Sequence, residues 1–146
     1  MDKINFLNLE LSKKVIEEVE NLAKNEGIPV VIAICNEWGS IIAVHFMDGA
    51  LPASLDIAIN KAFTSATIRI ATEDLKALSI DDGELFGINN TNNNKIVAFP
   101  GGFPINQSGK IVGAIGVSGG SAEYDNKLAL FGKNICEGVI QWKIMK

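Results

Sequence analysis

The residues of this chain that could do chemistry lie in three places, and the first surrounds its only histidine. His45 stands just before the sequence MDGA, so Met47 and Asp48 follow within three residues. On a strand, residues 45 and 47 project to the same side. One imidazole forms neither a catalytic triad nor a two-histidine metal site, but it could ligate haem iron axially. The alternative is a histidine that is only hydrogen-bonded at a strand end.

The second place is a group of ionisable residues that continues from Asp48 to Asp56 and Lys61. Asp56 and Lys61 are five residues apart on a predicted helix, so they are not directly stacked. A general acid or base could lie here, but charge on a helix surface or a contact between subunits accounts for the group more simply. Ser118 has no candidate base near it in sequence, and no Gly-x-Ser-x-Gly elbow surrounds it.

The third place is the glycine-rich sequence GAIGVSGGSAEYD, residues 113–125. It lacks the Lys-Ser/Thr pair of a P-loop and the parallel crossover of a dinucleotide site. Gly119 and Gly120 lie between a predicted strand and a predicted helix, where backbone N–H groups could hold a carboxylate. The alternative is that they only form a tight turn. Gly113 and Gly116 lie inside the strand, which indicates close approach by a helix, a subunit or a flat ligand.

The composition is that of a globular protein, and we expect one domain over residues 1–146. Apolar residues make up 47% of the chain and charged residues 21%. The mean hydropathy of +0.21 is high, yet the apolar stretches are far shorter than the ~20 residues of a membrane span. The net charge is −4 and the lysines are scattered, which argues against binding to nucleic acid or to an anionic membrane. The expected partners are small molecules and copies of the same chain.

The two cysteines, Cys35 and Cys136, lie about a hundred residues apart in apolar surroundings. This spacing is not typical of metal ligands, and we expect two buried, reduced thiols and no metal-ion site. The N-terminal sequence does not resemble a signal peptide. We therefore expect a cytoplasmic protein.

The first half of the chain predicts a helix, a hairpin and a second helix. The first helix is capped by Asn8 and stopped by Gly27. The runs VVIAIC and SIIAVHF predict the hairpin, and both are apolar at nearly every position, as in a sheet covered on both faces. Pro52 begins the second helix, which runs to about Ile70 and places Lys61 on its outer face. Thr72 can cap a short helical piece.

The second half begins with an irregular segment, residues 81–94, and continues with three strands and a helix. The runs KIVAF, GGFPIN and KIVGAIGVSG predict the strands, and the short connections between them imply antiparallel neighbours. Ser121 can cap the last helix. The order α, β, β, α, β, β, β, α predicts an α+β domain with one antiparallel sheet of about five strands and helices on both faces.

Several of these motifs together resemble the GlcG/HbpS-like haem-binding family, whose domain also forms the C-terminal part of PduO-type cobalamin adenosyltransferases. The resemblance rests on MDGA before a helix, INKAFTSA within it, GGFPI, and above all GKIVGAIGVSGGSAEYD. It covers nearly the whole chain, from Asn8 to the helix after Ser121.

The resemblance implies a profilin-like α/β/α sandwich that assembles into homo-oligomers. It also implies binding of a tetrapyrrole, either haem or a corrinoid such as cobalamin, or of another small molecule. It implies an accessory binding subunit rather than a catalyst, because the adenosyltransferase activity of PduO belongs to a separate domain. Two departures are visible: Phe46 replaces an arginine that many relatives have before MDGA, and the first helix has no histidine. An axial ligand would then be His45, from a different element. The expected ligand-binding residues are His45, Met47, Asp48, Lys61, Ser118, Gly119 and Gly120.

Two other functions remain open from the sequence. One is an enzyme acting on a small carboxylate or hydroxy acid, with the helix start at Ser121 holding the acid group and Asp48, Asp56 or Lys61 transferring a proton. The other is a structural or regulatory oligomer without a ligand, which the high hydropathy favours.

Overall fold

The computed structural model describes residues 4–146, so the first three residues of the expected domain lie outside it. The helices are α1 (Leu9–Glu26), α2 (Ser54–Ile68), α3 (Thr72–Ser79) and α4 (Ala122–Met145). The strands are β1 (Val31–Asn36), β2 (Ile41–Phe46), β3 (Gly102–Gln107) and β4 (Lys110–Ser118). They form one antiparallel sheet in the order β2-β1-β4-β3.

Helices cover both faces of this sheet, as the sequence predicted. Helices α1 and α4 pack on one face over a core that contains Ile32, Ile115 and Leu128. Helix α2 packs on the other face against Ala33, Ala114 and neighbouring small side chains. The α+β sandwich is therefore confirmed.

The caps of the two long helices are also as predicted. The Asn8 side chain accepts a hydrogen bond from Leu11 N–H, and Gly27 ends α1 with a positive φ of 74°. The Ser121 side chain accepts from Tyr124 N–H at the start of α4. Thr72 does not cap α3 as predicted, because its hydroxyl accepts a hydrogen bond from Gly102 N–H at 2.9 Å and so holds the start of β3.

The described residues form four strands rather than five, because KIVAF, residues 95–99, is not a strand. Side chains, rather than a neighbouring strand, form hydrogen bonds with its backbone. Val97 N–H donates to the Thr64 hydroxyl at 3.0 Å, and Ile96 C=O accepts from the Asn89 amide at 3.3 Å. Ile96 and Ala98 of this segment are buried with Leu75 of α3 and against Phe63 of α2, so their hydropathy does not require a strand, whereas Phe99 is exposed.

The expectation that both hairpin strands are covered on two faces holds for β1 but not for β2. Strand β1 lies between β2 and β4 and its first five residues are fully buried. Strand β2 is at the edge of the sheet, where its end residues Ile41 and Phe46 are exposed. The edge position leaves His45 partly open to solvent.

Candidate functional site

The predicted site residues lie at the same end of the sheet, but they are divided between its two faces. Val31, at the start of β1, is paired with Phe46 at the end of β2 and with Ser118 at the end of β4. His45 faces α1, whereas Ser118 faces α2. Two separate clefts result, and Asp48 lines one of them while Ser118 lines the other.

His45 is held by a carboxylate that the sequence did not reveal. Its Nδ1 contacts Oε1 of Glu20 on α1, 25 residues away in sequence. A carboxylate only accepts hydrogen bonds, so Nδ1 carries the proton in this contact and Nε2 is left for another partner. The pairing depends on how α1 crosses β2, which no local pattern around Glu20 indicates.

The first cleft, which we call the Met47 cleft, lies between the end of α1 and the end of β2 and has a volume of about 410 Å³. Met47 is anchored at its wall, because Val30 N–H donates to the Met47 sulfur at 3.5 Å. The cleft combines apolar and charged side chains. It is lined by Glu20, Ala23, Lys24, Gly27, Ile28, Pro29, Phe46, Met47 and Asp48.

The second cleft, which we call the glycine-turn cleft, lies where β4 turns into α4 and has a volume of about 210 Å³. Ser118 lines this cleft and is 5% exposed, and its hydroxyl donates to the hydroxyl of Ser54 at 3.3 Å. The lining residues are Leu51, Ala53, Ser54, Ile57, Phe99, Ser118, Gly119, Gly120, Ala122 and Asp125.

Asp125 organises this turn, and the sequence analysis missed it. Its Oδ1 accepts from Gly120 N–H at 2.8 Å, and its Oδ2 accepts from Gly119 N–H at 3.3 Å. The backbone N–H groups predicted to hold a carboxylate therefore hold one from the chain itself. An acid in the first turn of a helix that follows two glycines is the signal that could have indicated this contact.

Lys61 is buried, which corrects its predicted position on the outer face of α2. Its side chain is 0% exposed, and its Nζ donates to Val117 C=O at 2.8 Å and to Asp125 Oδ2 at 3.3 Å. The ring centroid of Phe99 lies 5.1 Å from the same nitrogen. Burial lowers the pKa of Lys61 below its usual value of 10.5, and the charge and hydrogen bond of Asp125 partly oppose that effect.

The proposed group of Asp48, Asp56 and Lys61 is not one cluster. Asp48 lines the Met47 cleft, Asp56 is exposed on α2, and Lys61 is buried against Asp125. Within residues 4–146, no three or more His, Cys, Asp or Glu side chains are placed to hold a metal ion together. The same part of the chain contains no helix long and apolar enough to cross a membrane.

Comparison with known proteins identifies the family. The model of the family described as haem degrading protein HbpS-like matches residues 7–133. The chain belongs to the HbpS-like family. A 15.0 kDa protein from the dhaT-dhaS intergenic region of Citrobacter freundii is 36% identical over 87% of this chain and 89% of its own length.

Another relative is matched over only about a third of its length. The corrinoid adenosyltransferase PduO of Salmonella typhimurium is 30% identical over 82% of this chain, but the match spans only 34% of PduO. What the remainder of PduO does therefore has no counterpart in the matched region.

Solved structures of HbpS-like proteins share the fold closely. ORFY of Klebsiella pneumoniae superposes with a TM-score of 0.86 at 28% identity, over 94% of this chain and 97% of ORFY. A PduOC:heme complex gives a TM-score of 0.80 at 28% identity, over 91% and 94% of the two chains. HbpS gives 0.81 at 25% identity, over 92% and 93%.

Proposed function

We propose that this chain is a non-catalytic, accessory tetrapyrrole-binding protein, and that haem binds in the Met47 cleft with His45 as the axial ligand. The observation that carries the proposal is the contact between His45 and Glu20. Glu20 lines the Met47 cleft, whereas His45 is not one of its lining residues and reaches it only through Glu20 and its neighbour Phe46. A carboxylate on one imidazole nitrogen orients the ring and makes the other nitrogen a better metal ligand.

The walls of the Met47 cleft suit a flat, largely apolar macrocycle with acidic side groups. Ile28, Pro29 and Phe46 supply apolar surface, and Met47 adds a polarisable thioether. Lys24 supplies a cation at the same cleft, which would pair with a propionate. Haem would supply an iron whose redox chemistry the surrounding residues would tune.

The comparisons support a tetrapyrrole as the ligand class. A PduOC:heme complex exists for a protein of the same fold, which supports a tetrapyrrole ligand. The family description refers to haem degradation, which supports haem as the ligand but counts against the non-catalytic part of the proposal. A corrinoid remains the second tetrapyrrole of the proposal, because its cobalt also accepts an imidazole ligand. The connection to corrinoids comes from PduO, of which this chain matches about a third.

Titration of the purified apoprotein with haem and, separately, with cobalamin tests this proposal. We expect a saturable Soret shift with haem at one site per chain, and loss of that shift or at least a tenfold weaker affinity in His45→Ala. Trp38→Ala is the matched control, because Trp38 is 73% exposed in the turn between β1 and β2 and would adsorb haem non-specifically. No saturable binding of either compound would overturn the proposal, and an unchanged spectrum in His45→Ala would exclude His45.

The enzyme alternative has less support from the geometry. It requires the start of α4 to hold the acid group of a substrate, but Asp125 already accepts from the Gly119 and Gly120 amides. It also requires Asp48, Asp56 or Lys61 to act on the same molecule, whereas these residues lie apart.

Self-association is part of the proposal, and it also bears on the alternative of a ligand-free oligomer. Trp38, Phe86 and Trp142 are each more than half exposed, which favours burial against another copy. Light scattering after size exclusion tests it: a mass of 15.6 kDa at micromolar concentration would contradict self-association.

We also propose a cytoplasmic location, which the two free cysteines support.

A further inference from the structure

We propose that the glycine-turn cleft is a second binding site, separate from the Met47 cleft, and that it takes a small uncharged molecule with several hydroxyl groups. The two clefts lie on opposite faces of the sheet and share no lining residue. The second site is therefore built from different residues than the proposed tetrapyrrole site.

The first argument is that the cleft is lined by polar side chains that are almost completely buried. Ser54 is 2% exposed, Ser118 is 5% exposed and Asp125 is 4% exposed, yet all three line the cleft. Each serine hydroxyl can donate one hydrogen bond and accept two. The bond between Ser54 and Ser118 uses the hydrogen of one hydroxyl and leaves the other hydrogen for a further acceptor.

The second argument is the charge of the cleft, which favours a neutral ligand that donates hydrogen bonds. Asp125 accepts from Lys61 and from the amides of Gly119 and Gly120, so its charge is already balanced. An ionised carboxylate has about four acceptor positions, which leaves room for one more donor. An anionic ligand would meet the Asp125 carboxylate, while the balancing Lys61 ammonium is enclosed behind it.

The third argument is the size and the apolar part of the lining. The volume of about 210 Å³ is about half that of the Met47 cleft, which is about 410 Å³. Leu51, Ile57 and Phe99 offer apolar surface on which the carbon skeleton of such a molecule can lie. These dimensions fit a three- to six-carbon polyol better than a nucleotide or a macrocycle.

Amide NMR of the ¹⁵N-labelled full chain tests this site with three probes of similar size. We expect saturable shifts of the Gly119 and Gly120 amides with glycerol, at least fivefold weaker binding of 1-propanol, and no comparable shift with lactate. Equal shifts with lactate would overturn the preference for neutral ligands. Shifts that spread over the surface without saturation would overturn the site itself.

Variants separate the cleft from general effects on folding. Ser118→Ala should weaken glycerol binding at least fivefold, whereas Ser40→Ala, an exposed serine in the turn between β1 and β2, should not change it. Ala122→Trp places a large ring at the cleft and leaves the Lys61 and Asp125 side chains themselves unsubstituted, and it should abolish the shifts. Unchanged binding in either cleft variant, with a native spectrum elsewhere, would overturn the proposal. Haem titration reports on the other cleft, so failure of one proposal is distinguishable from failure of the other.

Discussion

Lys61 on α2 and Asp125 on α4 form a buried ion pair between residues 64 positions apart in sequence, with a distance of 3.3 Å from Nζ to Oδ2. The pair connects helices on opposite faces of the sheet at the end of β4. Because Asp125 also accepts from the Gly119 and Gly120 amides, one carboxylate holds both the turn and the lysine.

We predict that Lys61→Met lowers the free energy of unfolding by about 3–5 kcal/mol, because it leaves the buried Asp125 carboxylate without its cation. Lys127→Met is the matched control. Lys127 pairs with Glu26 at 2.9 Å, but its side chain is 58% exposed, so its loss should cost less than about 1 kcal/mol. Urea denaturation followed by circular dichroism measures both values.

The double variant Lys61→Met with Asp125→Asn checks the reason for that loss. It removes both charges, so it should be less destabilised than the sum of the two single variants. If Lys61→Met cost no more than Lys127→Met, the ion pair would not be a major stabilising contact.

We predict that Gly116→Ala destabilises the protein by about 3 kcal/mol, at the upper end of overpacking effects. A Cβ at Gly116 would lie 2.1 Å from the backbone oxygen of Ala58 and 2.6 Å from the backbone nitrogen of Ala62, so α2 would have to move. At Gly138 on α4 a Cβ meets nothing within 4 Å. Gly138→Ala should therefore stabilise the protein by about 0.5–1 kcal/mol through helix propensity.

Thermal unfolding of the two glycine variants measures this difference. The two variants carry the same added methyl group, but their stability is predicted to change in opposite directions. A general effect of an added methyl group therefore cannot explain both changes. Similar shifts of melting temperature in the two variants would contradict close packing of α2 on β4.

The packing at Gly116 illustrates what the sequence could and could not predict. A glycine inside a strand indicated close approach, but a helix, a subunit and a flat ligand all fitted the pattern. The structure places α2 there. Periodicity, caps and turn residues act over a few positions, which is why the helices, the hairpin and the four strands were predictable.

The candidate site was less predictable, because its main contacts join residues that are distant in sequence. Glu20 reaches His45 across 25 positions, and Asp125 reaches Lys61 across 64. A lysine on a helix is ordinarily exposed, so only the position of its partner explains why this one is buried. The strand predicted at residues 95–99 was wrong for a similar reason, because apolar residues there are buried by α2 and α3 rather than paired in a sheet.

We predict that both cysteines are unreactive in the folded protein and that they make stability fall at alkaline pH. Burial raises the pKa of Cys35 and of Cys136 from 9.0 to about 12. Thiols of the unfolded chain ionise near pH 9, so between pH 9 and pH 12 the unfolded state releases protons that the folded state keeps. The free energy of unfolding should then fall by up to about 1.4 kcal/mol per pH unit for each cysteine, and these thiols should contribute no such slope below pH 9.

Thiol titration with a chromogenic disulfide and denaturation at several pH values measure these effects. Cys35→Ala with Cys136→Ala should remove the part of the alkaline slope that the thiols cause, and comparison with the parent chain isolates it from lysine titration. Rapid reaction of either thiol under native conditions would contradict the burial of both side chains.

The contact between Glu20 and His45 gives the last prediction, which rests on the proposed haem site. We predict that Glu20→Gln weakens haem binding by about 10- to 100-fold, because loss of a carboxylate partner makes the imidazole a less basic ligand. For the same reason the midpoint potential of the bound iron should rise. Glu18→Gln is the matched control, since Glu18 lies on the same helix but is exposed. Haem titration and spectroelectrochemistry measure the two quantities, and equal affinities and potentials for the two variants would show that Glu20 does not act on the ligand through His45.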